Sequence, residues 1–285
     1  MNDTRMSGRV AVITGAGGGL GRSHALQLAS HGAHIVVNDV VDPSPVVEEI
    51  RSLGGSAEGH IDGIDTVEGA NGLIRTAIEA YGRVDIVVNN AGILRDKSFG
   101  KLEPEMVDAV MAVHLKGAFN VTRAAWPYLT GQGWGRVIMT SSGSGLYGNF
   151  GQANYGAAKM GLVGLTRVLA IEGARSGVQV NAIAPLARSA MTEGIMPPET
   201  LERLSPEWVS PLVAWLASEE CGDTAHVYSV AGGYYARVAV VEGPGVRFDR
   251  IPGIDDFASA HERLVALEPF TEPRSLTDQI ALAAG

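Results

Sequence analysis

The sequence predicts an α/β fold, a doubly wound parallel sheet in one domain with a C-terminal extension. Three observations predict it. Short apolar runs alternate with longer stretches at helical spacing. Most of the runs are apolar on both faces, as strands are when helices cover both sides of a parallel sheet. Glycines, 37 in all, concentrate where runs meet helices.

The first strand spans 10–14, a run too short for a helix. Glycines follow at once, then a helix over 20–31 that Gly32 stops. A second buried strand, 34–38, ends in Asp39. Ser44-Pro45 offers a cap and an N1 proline for a helix that closes at Gly54-Gly55. A weak third strand over 57–61 runs into Asp62 and Gly63. Thr66 caps a helix to about Tyr81, and Gly82 stops it. The fourth strand, 84–88, leads into Asn89-Asn90-Ala91-Gly92. One long helical region covers about 103–130, and a fifth strand follows at 135–140. Then come a helix over 155–173, a strand over 178–183, a helix over 206–218 and a strand over 226–230.

Right-handed crossovers wind such an order onto both faces and put ligands at the C-terminal strand ends. Asp39, Asp62, Asn90 and Ser142 all fall at such ends. After Gly233 the alternation breaks, so residues 1–233 form the expected main domain and 234–285 the extension. The extension holds a strand-like 236–241, a loop, and a helix capped by Asp255 or Asp256 that reaches about Leu267. Its end is irregular with a last apolar turn. It is expected to pack on the same domain or on a partner subunit.

Composition narrows the function. With 46% hydrophobic and 19% charged residues, the chain is expected to be soluble and rich in core material. A net charge of −9 argues against a general nucleic-acid or anionic-membrane binder. It leaves room for a phosphorylated cofactor held by backbone N–H groups. The single cysteine, Cys221, excludes an intrachain disulfide framework and fits a reducing cytosol. Seven histidines show no metal-ligand spacing, so no metal is expected. The N-terminus lacks an apolar signal region, no run approaches a membrane span, and the C-terminus is not a peroxisomal address. A cytoplasmic enzyme is the expectation.

Thr14-Gly15-Ala16-Gly17-Gly18-Gly19-Leu20-Gly21 links the first strand to the first helix. A helix N-terminus presents free N–H groups and the positive end of a dipole, a site for pyrophosphate. Gly15, Gly19, Leu20 and Gly21 are its cofactor-facing candidates, in the spacing T-G-x-x-x-G-x-G. Asp39, ending the next strand, can accept from the ribose hydroxyls of an adenosine and repel a 2′-phosphate, which favours NAD over NADP. Arg22 can offset that preference. Asp62-Gly63 stands where an adenine edge is read, and is equally an ordinary turn. Asn90, Ala91 and Gly92 fit a nicotinamide-side role, although amides and glycine also form plain polar turns.

Tyr155 and Lys159 stand four apart on the expected helix and so share a face. An ammonium beside a phenol favours the phenolate and lowers it below its usual value of about 10. That suits Tyr155 to acid/base work near neutral pH. Ser142 can donate to the same substrate oxygen. Alone, Y-x-x-x-K also describes a solvated surface pair. His114, within the long helical region, is a packed side chain or a member of a proton relay.

T-G-A-G-G-G-L-G, N-N-A-G, Ser142 and Tyr155-x-x-x-Lys159 together resemble the short-chain dehydrogenase/reductase family. That implies a Rossmann-type sheet and hydride transfer with a nicotinamide cofactor. It also implies that Tyr155 is the acid/base, that Ser142 orients the substrate oxygen, and that Lys159 binds the nicotinamide ribose and depresses the tyrosine. Longer strings, among them I-V-V-N-D, N-N-A-G-I-L-R-D-K-S-F, V-T-R-A-A-W and Y-G-N-F-G-Q-A-N-Y, resemble D-3-hydroxyacyl-CoA dehydrogenase domains of peroxisomal multifunctional β-oxidation enzymes. The family commonly has asparagine where this chain has His114, while that subgroup is similar in having histidine.

The resemblance implies an NAD-dependent oxidation of a 3-hydroxyacyl-CoA, with Arg95 and Lys97 as candidates for CoA phosphate contacts and a homodimer or homotetramer as the assembly. The alternatives are a dehydrogenase of a free steroid, polyketide or other alcohol, an acyl-carrier-protein reductase, or a cofactor-binding scaffold without turnover.

Overall fold

The computed structural model describes residues 5–187 and 204–284. Its strands are β1 (Val10–Thr14), β2 (His34–Asp39), β3 (Ser56–Ile61), β4 (Ile86–Asn89), β5 (Gly135–Thr140), β6 (Val178–Leu186), β7 (Val227–Ala231) and β8 (Tyr234–Val238). Among the described residues they form one sheet in the order β3-β2-β1-β4-β5-β6-β7-β8. Neighbours from β3 to β7 run parallel. Ala11 of β1 pairs with Ile35 on one side and Ile86 on the other. Ile13, Ile35, Ile86, Ile138 and Ile183 are fully buried at the sheet centre. β7 turns into β8 through Gly232-Gly233, both at positive φ (50° and 87°), a two-residue hairpin that only an antiparallel pair permits.

The strand order reverses between β1 and β4. The chain first builds outward through β2 and β3, then crosses to the other side of β1. That reversal parts the loops above the sheet and leaves a crevice.

The helices of this part are α1 (Gly19–Ser30), α2 (Ser44–Ser52), α3 (Val67–Tyr81), α4 (Pro104–Met111), α5 (Gly117–Gly131), α6 (Gly143–Tyr147), α7 (Ala153–Gly173) and α8 (Ser210–Ala217). α3 begins and ends as its sequence dictates. The Thr66 hydroxyl accepts from the Gly69 N–H at 3.0 Å, and Gly82 closes the helix at φ 75°.

Elsewhere the structure departs from the sequence pattern. α2 takes Pro43 as its cap, and Ser44 is already helical. β4 begins at Ile86, two residues later than the pattern, and just before it the Asp85 carboxylate accepts from the Val10 N–H (2.9 Å) and from the Arg9 and Arg83 guanidiniums. The region 103–130 is not one helix. A π-helical turn, Ala112–Lys116, separates α4 from α5 and carries His114. α6 has no periodic signal and is set by its Ser142 cap. The region 206–218 is a 3₁₀ turn, Pro206–Trp208, followed by α8, which restarts around Pro211.

The chain divides into two compact units, Met1–Arg237 and Val238–Gly285. The second holds three helices among its described residues, α9 (Ile254–Ser259), α10 (His261–Val265) and α11 (Leu276–Ala284), and one bridge between Glu242 and Thr271. Gly253 is the cap of α9. Asp256 acts from the first turn, its carboxylate accepting from the Gly253 N–H at 2.7 Å. The last apolar turn is a helix of nine residues. Among the described residues no helix is long and apolar enough to cross a membrane.

Candidate active site

The loops above β1, β2, β4 and β5 open onto a crevice of about 530 Å³. Gly15, Gly19, Leu20, Asp39, Asp62, Gly63, Asn90, Ala91, Gly92, His114, Ser142, Tyr155 and Lys159 all line it. Its size suits a cofactor-sized ligand.

At one end stands α1. Its cap is Gly18, which offers no side-chain acceptor, so the first N–H groups of the helix remain free for an anion. Gly15 has φ 61°, and a Cβ there would stand 2.7 Å from the Ala91 Cα. Only glycine lets the loop lie that close to the end of β4. Asn90 fastens the two together. Its Nδ2 donates to the carbonyls of Thr14 and Gly15, both at 3.0 Å. The Thr14 hydroxyl accepts from the N–H groups of Asn90 and Ala91. Gly21 does not line the crevice. A Cβ there would meet the Gly15 carbonyl oxygen at 2.2 Å, so its bareness serves the packing of α1 against the loop.

Asp39 holds the glycine loop as well as facing the crevice. Its Oδ2 accepts from the Gly17 N–H at 2.9 Å, and its Oδ1 from the Val40 N–H at 2.8 Å. Arg22 is engaged by Glu49 in a two-pronged pair, with Nε donating to Oε2 at 2.8 Å. At the end of β3, Asp62 accepts from the Gly63 N–H at 2.7 Å. Asn38 is a crevice residue that the sequence pattern did not single out. Its buried Nδ2 donates to the Asp62 carbonyl at 3.0 Å and lies 3.1 Å from His60 Nδ1. The signal was a lone amide inside an otherwise apolar strand.

The π turn presents His114 to the other end. Its Nε2 lies 2.9 Å from the Ile93 nitrogen and 2.8 Å from the Ile93 oxygen, so one partner serves either tautomer. Its buried Nδ1 has no hydrogen-bond partner among the described residues. The ring stands edge-on to Tyr155 with centroids 5.1 Å apart. Burial pushes this imidazole down to about 3, aided by the Lys159 charge and opposed by the Ile93 bond. It is neutral at physiological pH.

Ser142 caps α6, its Oγ accepting from the Ser144 N–H at 3.2 Å. Tyr155 lies in the first turn of α7, and Lys159 one turn on. Lys159 is buried, with Nζ donating to the Thr140 carbonyl at 2.5 Å and 5.6 Å from the Tyr155 ring centroid. Burial lowers its ammonium to about 7.

The expected depression of Tyr155 is not what the geometry gives. Burial raises its phenol above the ordinary value, the Ser142 hydrogen bond lowers it, and the Asp96 charge raises it again. Lys159 gives one of its donors to Thr140 and its own charge is disfavoured by burial, so desolvation of the phenol dominates. Arg95 and Lys97 are exposed and do not line the crevice. Arg95 donates to the neighbouring Leu94 carbonyl at 2.7 Å.

This arrangement can hold a dinucleotide along the β1–β4 switch and move a proton at its Tyr155 end. The family described as short chain dehydrogenase matches residues 9–198. The chain belongs to that family. It is an oxidoreductase of a family that works with nicotinamide cofactors, and its sheet is of the Rossmann type. It is 51% identical over 262 residues to a short-chain type dehydrogenase/reductase of Mycobacterium tuberculosis, covering 88% of this chain and 92% of the other. It is 43% identical over 253 residues to a hydroxyacyl-CoA dehydrogenase of the same organism, covering 81% of this chain and 80% of that one. The full-length peroxisomal multifunctional enzyme type 2 of Drosophila melanogaster matches in structure with a TM-score of 0.85 at 39% identity, over 98% of this chain. The chain spans about half the length of that enzyme, 49%.

Proposed function

We propose that the chain is an NAD-dependent dehydrogenase that oxidises the 3-hydroxyl of a 3-hydroxyacyl-CoA to the 3-oxo group, a step in β-oxidation of a fatty-acid or steroid side chain. The observation that carries the chemistry is the meeting of Ser142, Tyr155 and Lys159 at one end of a crevice whose other end is the uncapped N-terminus of α1. The acyl-CoA class is supported by the hydroxyacyl-CoA dehydrogenase among its relatives.

The residues fit a dinucleotide. The α1 N–H groups suit the pyrophosphate, Asp39 the adenosine ribose, Asp62 and Gly63 the adenine, and Asn90 to Gly92 the nicotinamide side. Lys159 has ammonium donors beyond the one given to Thr140, and these suit the second ribose. Asp39, with Arg22 held by Glu49, favours NAD over NADP. When bound, NAD supplies the acceptor for the hydride that leaves the substrate carbon. Tyr155 takes the proton of the substrate hydroxyl, and Ser142 donates to the same oxygen. His114 holds the Ile93 backbone against the site, and its free Nδ1 can take a water for the proton's way out. The protein is read as a cytoplasmic homodimer or homotetramer acting on a small molecule without nucleic acid. The net charge of −9 and single cysteine support that reading.

The test is a panel of D-3-hydroxyacyl-CoA thioesters, free hydroxysteroids and simple secondary alcohols, each with NAD and with NADP. The thioesters with NAD are expected to give the highest kcat/KM. An equal or higher value on a substrate without the thioester overturns the acyl-CoA reading, and a preference for NADP overturns the cofactor reading.

A further inference from the structure

Between the glycine loop and Tyr155, one polar knot belongs to none of the roles above. Gln152 precedes α7 but leaves its own helix uncapped. Its side chain turns outward to three partners instead. Oε1 accepts from the Ser144 hydroxyl at 2.7 Å and from the Asn149 amide at 3.0 Å, and Nε2 donates to the Asp96 carboxylate at 2.7 Å. Two donors on the oxygen and an anion on the nitrogen fix which way the amide points.

The three partners belong to the segments that bound the crevice at its Tyr155 end. Ser144 sits in the first turn of α6, where its N–H also donates to the Ser142 hydroxyl oxygen. Asp96 lies on the strap after β4. That strap is tied down twice more, by the Lys97 N–H to the Gly151 carbonyl at 3.0 Å and by Asn154 Nδ2 to the Arg95 carbonyl at 3.0 Å. Asn154 also donates to the Met106 carbonyl of α4 at 3.2 Å. The Gln152 carbonyl accepts from the Gly156 N–H at 2.7 Å, closing the turn that carries Tyr155. One side chain therefore joins the segment bearing Ser142 to the segment bearing Tyr155, braced from behind by a carboxylate. Ser144, Asn149 and Gln152 all line the crevice.

We propose that Gln152 is the positioning residue of the Ser142–Tyr155 pair, and that Asp96 holds its amide in the working orientation. The proposal rests on the reading of Ser142 and Tyr155 as the proton-handling hydroxyls. Gln152 itself need not touch the reacting atoms. It sets the spacing of the two groups that do, and a spacing error of about 1 Å costs on the order of 100-fold in a reaction of this kind.

The experiment compares five full-length proteins: the natural chain, Gln152→Met, Gln152→Glu, Asp96→Asn/Gln152→Glu, and Tyr155→Phe. Each is assayed on the substrate of the panel that the natural chain turns over fastest, with NADH binding measured separately. Hydrogen exchange over residues 93–98 and 143–157 is followed in parallel. Gln152→Met keeps the size and loses the three bonds. It is expected to lower kcat about 10-fold or more, to leave KM and NADH affinity within about 3-fold, and to speed exchange in both segments together. Gln152→Glu sets two carboxylates against each other and is expected to do worse. In the double variant the amide and the carboxylate trade places, so the amide now on the strap can donate to the carboxylate now before α7. Most of the lost kcat is expected to return. That rescue separates positioning from bulk packing, since the exchanged pair has the same net charge as the natural one.

Gln152→Met with natural kcat and exchange confined to its natural level overturns the proposal. So does a double variant no better than Gln152→Glu. If Tyr155→Phe keeps its rate, the reading of the pair has failed, whereas a dead Tyr155→Phe beside a normal Gln152→Met fails the positioning role alone.

Discussion

The Arg22 guanidinium grips the Glu49 carboxylate across the start of α1, and the Asp39 carboxylate is left to hold the glycine loop. A cation committed to α2 is not available to neutralise a 2′-phosphate. Asp39→Asn keeps an acceptor for the Gly17 N–H and removes the negative charge. It is expected to keep NAD binding within a few-fold and to narrow the NAD-over-NADP preference by about 10-fold, or about 1.4 kcal/mol. Adding Glu49→Ala frees Arg22 and is expected to narrow it further. Binding titrations with both nucleotides check this, and an unchanged preference in the double variant contradicts it.

Gly92 and His114 are fitted to each other. A Cβ on Gly92 would stand 2.3 Å from His114 Cε1. Gly92→Ala is expected to cost about 1–3 kcal/mol of stability, the range for overpacking, and to lower the rate by displacing the ring beside Tyr155. A fall in the urea midpoint with an unchanged slope is the signature. Placing His114→Ala beside it should recover most of the stability and not the rate.

Two buried histidines make the fold sensitive to acid. Burial holds His24 and His114 each at about 3, against 6.5 for the ordinary group. Below pH 6.5 the unfolded chain takes up protons that the fold refuses. Their contribution is fully present above 6.5 and is lost as pH falls from 6.5 towards 3, at up to about 1.4 kcal/mol per pH unit for each group. His24 Nδ1 lies 2.8 Å from the Ser210 hydroxyl between α1 and α8. His24→Asn retains a partner for Ser210 and cannot titrate. Urea midpoints at pH 7.5 and 5 should fall less in this variant than in the natural chain, and an equal fall contradicts the assignment.

Ser142 acts on Tyr155 in a definite direction. Its hydrogen bond favours the phenolate, while burial and the Asp96 charge oppose it. Ser142→Ala is therefore expected to move the pH dependence of alcohol oxidation to higher pH, besides lowering kcat by on the order of 100-fold. A lowered rate with the profile in place would mean that Ser142 serves the substrate alone.

Much of the fold could be read in the chain because the signals are local. β1 and β5 are short runs buried along their whole length, β2 is buried between its two ends, and α3 carries its own cap at Thr66 and its own stop at Gly82. The crevice residues stood out because strand ends are where a parallel sheet leaves side chains unpaired with neighbours. What could not be read depends on distant partners. α6 has a sequence, Gly-Ser-Gly, that resists helix formation. It is held by the Ser142 cap and by Gly145, where a Cβ would meet the Lys159 Cβ at 2.9 Å. The π turn at His114 answers to Ile93, 21 positions away. The ionisation of Tyr155 follows from how deeply α6, α7 and the π turn enclose it, which spacing to Lys159 does not encode. Gly21 looked like a phosphate contact because it shares the loop, yet its bareness is needed on the protein side.

The most direct measurement is NAD reduction by a D-3-hydroxyacyl-CoA for the natural chain and for Tyr155→Phe, with NADH affinity determined for both. Turnover is expected in the natural chain, with a loss of about 100-fold or more in kcat in the variant and NADH binding within a few-fold. Near-natural turnover by Tyr155→Phe would contradict the assignment of Tyr155 as the proton acceptor.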